Sequence, residues 1–352
     1  MQPANHPKEK RKRSPRLATW QLSCLVVCLL VAAVILVMLI RGLRLVPPHI
    51  IPTAVARLST STPIPGLTPE DTLLDKLTGR IIFQTQRVAD NSIKTYIINA
   101  DGTDLHELKI DNPIFAQSRS GRIWSPDGQH VIIIPDGSPI GSDKLVIYIA
   151  NLGDSNLMKL TREGYRYSWS FDSKRIAYVG HVEKSTIDSD QIFIMNAAGS
   201  GITQVTKEWG GGINPSWSPD GKHIVFLSYQ THSLFTIDTD GSNLQRLTEK
   251  IAVAAIPRWS PDGQHIAFTM GGNTNINIVN ADGSNRTEIT KDGVNLLPYW
   301  SPDSRHIVYV SQIKGTGDPY RITIVDIDGS HKTQLTYPGY EGYSDSNPIW
   351  IP

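Results

Sequence analysis

Six tryptophans recur along the chain, and their spacing restricts the possible folds more than any other feature. The intervals between them are 45, 48, 42, 41 and 50 residues, and their positions are Trp124, Trp169, Trp217, Trp259, Trp300 and Trp350. A nearly constant period of this length is typical of repeat architectures, in which each repeat is one small structural unit. The sequence therefore predicts a series of similar units that pack against one another.

Each unit reads as four short strands joined by tight turns. The first five tryptophans begin the motifs WSPDGQH, WSFDSKR, WSPDGKH, WSPDGQH and WSPDSRH, and an apolar run follows each motif. The motif suits a turn because Pro fixes φ, Asp bonds nearby amides and Gly tolerates a positive φ. An alternating segment, a Gly turn and a last segment that ends in Leu-Thr, Val-Thr or Ile-Thr complete each unit. Four such strands make one blade of a β-propeller.

The two ends of the repeat region complement each other. Residues 79–109 supply the second to fourth strands of a unit, whereas residues 347–350 supply a Trp strand with nothing after it. Together they complete a sixth blade, which closes the ring of blades. We therefore predict an all-β fold, a six-bladed β-propeller of four-stranded blades with a shared closing blade, over residues 78–352. Its structural positions are the six tryptophans and the turn residues Asp127, Asp172, Asp220, Asp262 and Asp303.

A membrane anchor is predicted before the propeller. Residues 20–40 carry no charge and are mostly Leu, Val, Ile and Ala, and a helix of this length spans about 31 Å, close to the hydrocarbon core of a bilayer. The basic tail, residues 1–19, has a net charge of +5, so the positive-inside rule predicts a cytoplasmic N-terminus and an extracytoplasmic propeller. The Pro-rich residues 41–77 read as a tether. A cleaved signal peptide is the alternative interpretation.

Charge and cysteine content restrict the partners of the chain. Lys and Arg number 34 and Asp and Glu number 33, and the part after residue 19 has a net charge of −4, which argues against nucleic-acid binding. Both cysteines, Cys24 and Cys28, lie in the predicted membrane span. The propeller is therefore expected to fold without disulfides or thiolate metal sites.

Enzyme and cofactor signatures are weak. The chain has no GxSxG, HExxH or Gly-rich phosphate motif, so we favour a protein that is not an enzyme and predict no catalytic residue, cofactor or metal. Two Asp-rich segments, residues 238–241 and 326–329, read better as hairpin turns than as calcium loops. Four histidines occupy the same turn position in different units, which favours a structural role over a metal cluster: His130, His223, His265 and His306.

The repeat resembles the TolB-type (WD-like) propeller repeat of bacterial envelope proteins. The resemblance rests on WSPDG, the apolar strand, the Asp-Gly turn and the terminal Leu-Thr, and it covers about residues 78–352. It implies the six-bladed fold. It says little about function, because similar propellers accompany Tol-Pal complexes, S9 peptidases, membrane-spanning transcription regulators and oligogalacturonate lyases.

A recognition surface is predicted at one mouth of the channel, where the connections from each fourth strand to the next first strand gather. Tyr, Trp and Arg are enriched at binding hot spots. The predicted binding face comprises Tyr165, Arg166, Tyr167, Trp209, Arg258, Tyr299, Tyr340, Glu341, Tyr343 and Asp345. Ordinary packing between blades is the alternative interpretation of these residues.

These features together predict a membrane-anchored, exported propeller that binds a protein of the cell envelope, or a peptide or glycan ligand, without catalysis. Two other functions stay open. One is a lyase-like, carbohydrate-processing enzyme with its site in the channel. The other is an extracytoplasmic sensor that works through a membrane partner. Nucleic acid is not an expected partner.

Overall fold

The computed structural model describes residues 77–87, 93–108, 120–134, 147–151, 157–160, 164–182, 190–207, 211–251, 256–270, 274–312, 318–337 and 342–352. Within these ranges the strands form six antiparallel sheets of four strands each. Each sheet is one blade. The prediction of an all-β, six-bladed propeller with four-stranded blades is therefore confirmed.

Five blades are continuous in sequence, and each has a repeat tryptophan at the end of its first strand. Blade 1 contains β4 (Ser120–Trp124), β5 (His130–Ile134), β6 (Ile147–Asn151) and β7 (Leu157–Leu160). Blade 2 contains β8 (Tyr165–Trp169), β9 (Arg175–His181), β10 (Asp190–Asn196) and β11 (Thr203–Gln204). Blade 3 contains β12 (Gly212–Trp217), β13 (His223–Ser228), β14 (Leu234–Asp238) and β15 (Gln245–Arg246). Blade 4 contains β16 (Arg258–Trp259), β17 (His265–Met270), β18 (Asn275–Asn280) and β19 (Thr287–Glu288). Blade 5 contains β20 (Val294–Trp300), β21 (His306–Gln312), β22 (Arg321–Asp326) and β23 (Thr333–Gln334).

The sixth blade, here termed the closing blade, is assembled from the two ends of the repeat region. Across its sheet the order is β24 (Gly342–Ile351), β1 (Arg80–Arg87), β2 (Ile93–Asn99) and β3 (His106–Glu107). β24 pairs antiparallel with β1, and Trp350 lies opposite Ile81. The indole Nε1 of Trp350 also donates a hydrogen bond to the carbonyl of Thr78 over 2.9 Å. The ring therefore closes through a blade shared by both ends, as predicted.

The repeat tryptophans pack between neighbouring blades. All six are buried, with between 1% and 7% of their surface exposed. Trp169 donates from Nε1 to the carbonyl of Ile123 in blade 1 over 3.0 Å, and Trp300 donates to the carbonyl of Arg258 in blade 4 over 2.9 Å. These two indoles thus pack in the core and also link their blades to the preceding ones. Burial of an aromatic side chain of this size contributes up to about 4–6 kcal/mol to folding.

The turn after each first strand is held by one repeated set of hydrogen bonds. In blade 1 the Ser125 hydroxyl donates to Oδ1 of Asp127 over 2.5 Å and accepts from the His130 amide over 2.9 Å. The same Ser–Asp pair occurs in the other four continuous blades, as Ser170–Asp172, Ser218–Asp220, Ser260–Asp262 and Ser301–Asp303.

The last residue of each turn motif stacks on the tryptophan of the following blade. His130 lies over Trp169 with ring centroids 5.9 Å apart. Blade 2 has Arg175 instead, with its guanidinium carbon 4.4 Å from the Trp217 ring centroid. The other three pairs are His223–Trp259, His265–Trp300 and His306–Trp350. The four turn histidines are therefore distributed over different blade interfaces rather than gathered at one site.

The predicted cytoplasmic tail, the membrane span over residues 20–40 and the tether up to residue 76 lie outside the described residues. Within the part of the chain that is described, no helix is long and apolar enough to cross a bilayer. The anchor stays a prediction from the sequence.

Candidate binding site on the propeller axis

The residue that precedes each repeat tryptophan faces a cavity on the propeller axis. Successive side chains of a strand point to opposite sides, so the residue next to a tryptophan that packs between blades points elsewhere. One such residue from each blade lines a single cavity of about 370 Å³. They are Ile123, Ser168, Ser216, Arg258, Tyr299 and Ile349. A cavity that all six blades line must lie on the axis of the ring.

This cavity lies at the end of the channel where the first strands finish. Its wall includes Pro126, Pro261 and Pro302 from the turns after the first strands, and Pro352 from after β24. We term this end, where the Ser-Pro-Asp turns lie, the turn end of the channel. The opposite end, where each first strand begins, is termed the connection end.

The wall of the cavity is mostly apolar and aromatic. Its polar lining residues are Asp127, Ser168, Ser216, Arg258 and Tyr299. The edges of five repeat tryptophans complete the wall, namely Trp124, Trp169, Trp259, Trp300 and Trp350. The volume falls in the range of about 300–1,000 Å³ that is usual for small-ligand pockets. The cavity can therefore hold a small molecule or the end of a chain, but not a folded domain.

Arg258 places a positive charge in this apolar cavity. Its guanidinium carbon lies 5.9 Å from the centroid of the Tyr299 ring, within the range of a cation–π contact. Among the described residues no carboxylate forms an ion pair with Arg258. Burial lowers the pKa of Arg258, and Tyr299 is the one charge partner that opposes this shift. A guanidinium keeps its proton in proteins, so the cavity holds a partly desolvated cation without an anionic partner from the described chain.

Asp127 is the acidic residue of the cavity wall, and its carboxylate is engaged in the turn of blade 1. Oδ1 accepts hydrogen bonds from the Ser125 hydroxyl over 2.5 Å and from the Gln129 amide over 2.9 Å. Oδ2 lies 3.9 Å from Nε2 of His130. Asp127 therefore stabilises its own turn and does not form an ion pair with Arg258.

Comparison with known proteins assigns the fold to a family. A family model for the TolB beta propeller domain matches residues 167–352, just over half of the chain. The chain belongs to the TolB beta propeller domain family. A search of curated proteins finds no significant match.

Several solved structures share the fold of this chain. TolB from Acinetobacter baumannii is 21% identical with a TM-score of 0.61, over 78% of this chain and 67% of that chain. A putative TolB from Agrobacterium tumefaciens is 20% identical with a TM-score of 0.54, over 78% of this chain and 100% of that chain. A chain of a nidogen/laminin complex is 11% identical with a TM-score of 0.56, over 78% of this chain and 99% of that chain. At these identities the likeness concerns the fold alone.

The described residues of the predicted binding face lie at two ends of the channel of this TolB-type propeller. The sequence pattern predicted that Arg258 and Tyr299 lie in blade connections. The structure instead places them on the first strands β16 and β20, one residue before a tryptophan. They therefore lie at the turn end, whereas Tyr165, Arg166 and Tyr167 begin β8 at the connection end. Trp209, Tyr340, Glu341 and the side chain of Tyr343 lie outside the described residues.

The three residues that begin β8 differ in exposure. The Tyr165 hydroxyl donates to Oδ2 of Asp190 over 2.5 Å, and the Tyr167 hydroxyl donates to the carbonyl of Gly164 over 2.5 Å. Burial raises the pKa of both phenols. Tyr167 is buried in the core of blades 1 and 2. Arg166 between them is exposed, with a φ of 55°, and is therefore the member of this group that is open to a partner.

Asp345 is part of a buried polar cluster between the closing blade and blade 5. Its Oδ2 accepts a hydrogen bond from the Thr336 hydroxyl over 2.5 Å and lies 3.9 Å from Nη1 of Arg321. Burial raises the pKa of Asp345 to about 6, although these neighbours favour the charged form. Asp345 is therefore positioned to join blades rather than to meet a partner at the surface.

Four of the six residues that precede a repeat tryptophan were not predicted to belong to a site. Ser168, Ser216, Ile123 and Ile349 have side chains that are common in any strand, so their type gives no signal. Their position, one residue before each repeat tryptophan, is the signal that identifies the ring. Among the described residues no group of three or more His, Cys, Asp or Glu side chains could hold a metal ion.

Proposed function

We propose that this TolB-type propeller is a membrane-anchored, non-catalytic binding module that recognises another protein of the cell envelope at the turn end of its channel. The observation that carries the proposal is the axial cavity, in which six blades surround with an aromatic wall the cation of Arg258, which no carboxylate of the described residues pairs. Trp, Tyr and Arg dominate binding hot spots because they combine a large contact area with polar groups.

The protonation states in the cavity suit recognition better than proton transfer. Arg258 stays protonated, and burial raises the pKa of Tyr299, so that its phenol stays neutral near pH 7. The Asp127 carboxylate already accepts two hydrogen bonds from its own turn. Arg258 and Tyr299 can hold a partner in place, whereas general acid–base catalysis requires a group whose pKa lies near the working pH.

The anchor is the second part of the proposal. Residues 20–40 would cross the membrane once, with residues 1–19 in the cytoplasm and the propeller outside. At about 3.1 Å per residue in an extended polyproline-like form, the tether of residues 41–77 could hold the propeller on the order of 100 Å from the bilayer. This reach would allow the turn end to meet partners across the envelope.

Accessibility of introduced cysteines tests this topology in intact cells. Arg286 is exposed on a turn of blade 4, so Arg286→Cys should react with a membrane-impermeant maleimide in intact cells. Asn5→Cys in the basic tail should react only after the membrane is permeabilised. Labelling of Arg286→Cys only after permeabilisation would show that the propeller faces the cytoplasm and would refute the proposed orientation.

Site-specific crosslinking tests the binding site. A photo-reactive amino acid in place of Pro302, an exposed residue of the cavity wall, should form a discrete protein adduct when the full chain is irradiated in its native membrane. The same group in place of Arg166 samples the connection end. Adducts from position 166 alone, or equal adducts from both positions, would contradict binding at the turn end.

A matched pair of variants shows whether the adduct depends on the cavity. Arg258→Gln removes the charge inside the cavity, and Arg305→Gln removes an exposed charge from a turn at the same end. We expect the Pro302 adduct to weaken at least about 10-fold with Arg258→Gln, since an Arg hot spot contributes about 2 kcal/mol or more to binding. The adduct should persist with Arg305→Gln. Equal loss in both variants would indicate general electrostatic attraction instead.

A further inference from the structure

The charge of Arg258 carries information about the chemistry of the ligand. A buried cation without an anionic partner destabilises the fold by its desolvation. Arg258 is partly buried, and the described chain gives its guanidinium a cation–π contact with Tyr299 and no carboxylate. An anion that entered the cavity would recover the electrostatic energy that the free protein lacks.

We propose that the cavity binds a carboxylate of a peptide segment, held by the guanidinium of Arg258. This inference rests on the proposed function and names the group that the module recognises. The planar guanidinium presents two parallel N–H donors that match the two oxygens of a carboxylate. The guanidinium carbon lies over the face of the Tyr299 ring, 5.9 Å from its centroid.

The remaining wall of the cavity specifies the rest of the ligand. One guanidinium compensates one negative charge, which fits a single carboxylate rather than a doubly charged phosphate. Ile123, Ile349 and Phe171 give an apolar surface against which an apolar or aromatic side chain can pack. Ser168 and Ser216 of blades 2 and 3 add two hydroxyl groups to the same wall. Such hydroxyls can bond the amides of a peptide main chain.

The Ser216 hydroxyl has the geometry that this role requires. Its oxygen accepts a hydrogen bond from the amide of Trp259 over 3.2 Å, which fixes its position and leaves its own proton free to be donated into the cavity. The peptide carboxylate could belong to a chain terminus or to an acidic side chain. Both sources present the same group to Arg258, and they can be separated by the choice of probe.

Matched small probes test the proposal with the purified full chain in detergent. N-acetyl-phenylalanine carries a terminal carboxylate, and N-acetyl-phenylalaninamide differs from it only in lacking that charge. N-acetyl-glutamyl-phenylalaninamide carries its carboxylate on a side chain, and glucuronate represents a sugar acid. Binding is followed by tryptophan fluorescence, because five tryptophan edges line the cavity, and is repeated by calorimetry.

We expect N-acetyl-phenylalanine or the glutamyl probe to bind at least about 10-fold more tightly than the neutral amide, as for a charge-assisted hydrogen-bonded pair. Which of the two binds more tightly identifies the source of the carboxylate. The preference should fall to about 1 in Arg258→Gln, decrease in part in Arg258→Lys and persist in Arg305→Gln. An unchanged near-ultraviolet circular dichroism spectrum of Arg258→Gln would verify that the ring is intact.

Three results would overturn the proposal. They are equal binding of acid and amide by the wild-type chain, a preference for the acid that survives in Arg258→Gln, and no saturable binding of any peptide probe. Tighter binding of glucuronate than of every peptide probe would replace the peptide by a sugar acid. A Pro302 adduct that forms although the carboxylate preference is absent would leave the binding module standing and refute only the assigned chemistry.

Discussion

The repeat tryptophan and the residue before it are neighbours on the same strand but have different roles. The tryptophan is identical in all six blades and is buried between blades. The preceding residue is Ile, Ser, Ser, Arg, Tyr or Ile, and in every blade it lines the axial cavity. Because strand side chains alternate, one step along the backbone separates the position that stabilises the ring from the position that shapes its site. Repetition therefore reports on the fold, and variation next to it reports on the site.

Removal of the last tryptophan strand should have the largest effect on the ring. A chain that ends at Ser346 loses Trp350 and much of the pairing between β24 and β1. We expect the free energy of unfolding to fall by more than about 4 kcal/mol, since a buried tryptophan and strand hydrogen bonds are both lost. Chemical denaturation followed by tryptophan fluorescence measures this. Deletion of six residues from the basic tail, residues 2–7, is the control of equal length, and equal stability of the two shortened chains would refute closure through the shared blade.

Two adjacent substitutions in blade 2 compare the two positions directly. Trp169→Ala removes an indole that is 6% exposed and donates to Ile123, so we expect a loss of about 3–5 kcal/mol. Ser168→Ala changes the axial neighbour and should alter stability by no more than about 0.5 kcal/mol. Urea unfolding curves of the two variants and the wild-type chain would measure both changes in stability. Similar losses in the two variants would show that the axial position is also part of the packed core.

Asp345, a buried acid on β24 of the closing blade, should make the stability of the ring depend on pH. The folded pKa of Asp345 is about 6 and its ordinary value is 3.8, so the folded chain binds this proton more tightly than the unfolded chain. Stability from this group is therefore complete below about pH 4, falls as the pH rises to about 6, and is constant above that. The total decrease is about 3 kcal/mol.

Asp345→Asn should remove this decrease. Unfolding free energies measured from pH 4 to pH 7 should fall less steeply for the variant than for the wild-type chain. The exposed Asp240, on a turn of blade 3, provides a contrasting control, because hydrogen bonds from Ser242 lower its pKa. Asp240→Asn should therefore not reduce the fall in stability between pH 4 and pH 7. If Asp345→Asn and the wild-type chain have parallel pH profiles, Asp345 is not the group whose proton is coupled to folding.

The smallest expected effect on stability comes from Ser304, which replaces the Gly of the turn motif in blade 5. Three blades have Gly at the fourth position after the tryptophan, whereas blade 5 has Ser304 with a φ of 60°. The Ser304 hydroxyl accepts a hydrogen bond from the Asp262 amide in blade 4 over 3.0 Å. Ser304→Ala keeps the unfavourable φ and loses this bond, so it should destabilise by about 1 kcal/mol. Ser304→Gly should be closer to neutral, because relief of the φ strain offsets the lost bond. A Gly variant less stable than the Ala variant would contradict this reasoning.

The fold was predictable because the same physical requirement recurs in every unit. Trp, Pro, Asp and Gly at fixed spacing each report a buried contact or a turn conformation, and agreement among five motifs leaves few alternatives. The closing blade followed from counting strands at the two ends. Its register, with Trp350 opposite Ile81, required the structure.

The site was less predictable because it depends on where strands begin and how the ring curves. The segments before Trp259 and Trp300 give no sign of strand limits, and β16 has only two residues. The sequence pattern alone therefore places Arg258 and Tyr299 in connections. The cavity also unites Ile123 and Ile349, which are far apart in sequence. The burial of Asp345 ran against the usual exposure of acidic residues.

The substitution Arg258→Met tests most directly the claim that the axial position serves binding at the expense of stability. It replaces the unpaired cation by an apolar side chain of similar length and leaves the backbone carbonyl that accepts from Trp300 in place. The account predicts a free energy of unfolding equal to or above that of the wild-type chain, together with loss of the Pro302 crosslink. A destabilised variant that retains the crosslink would contradict the account, because Arg258 would then act in folding and not in recognition.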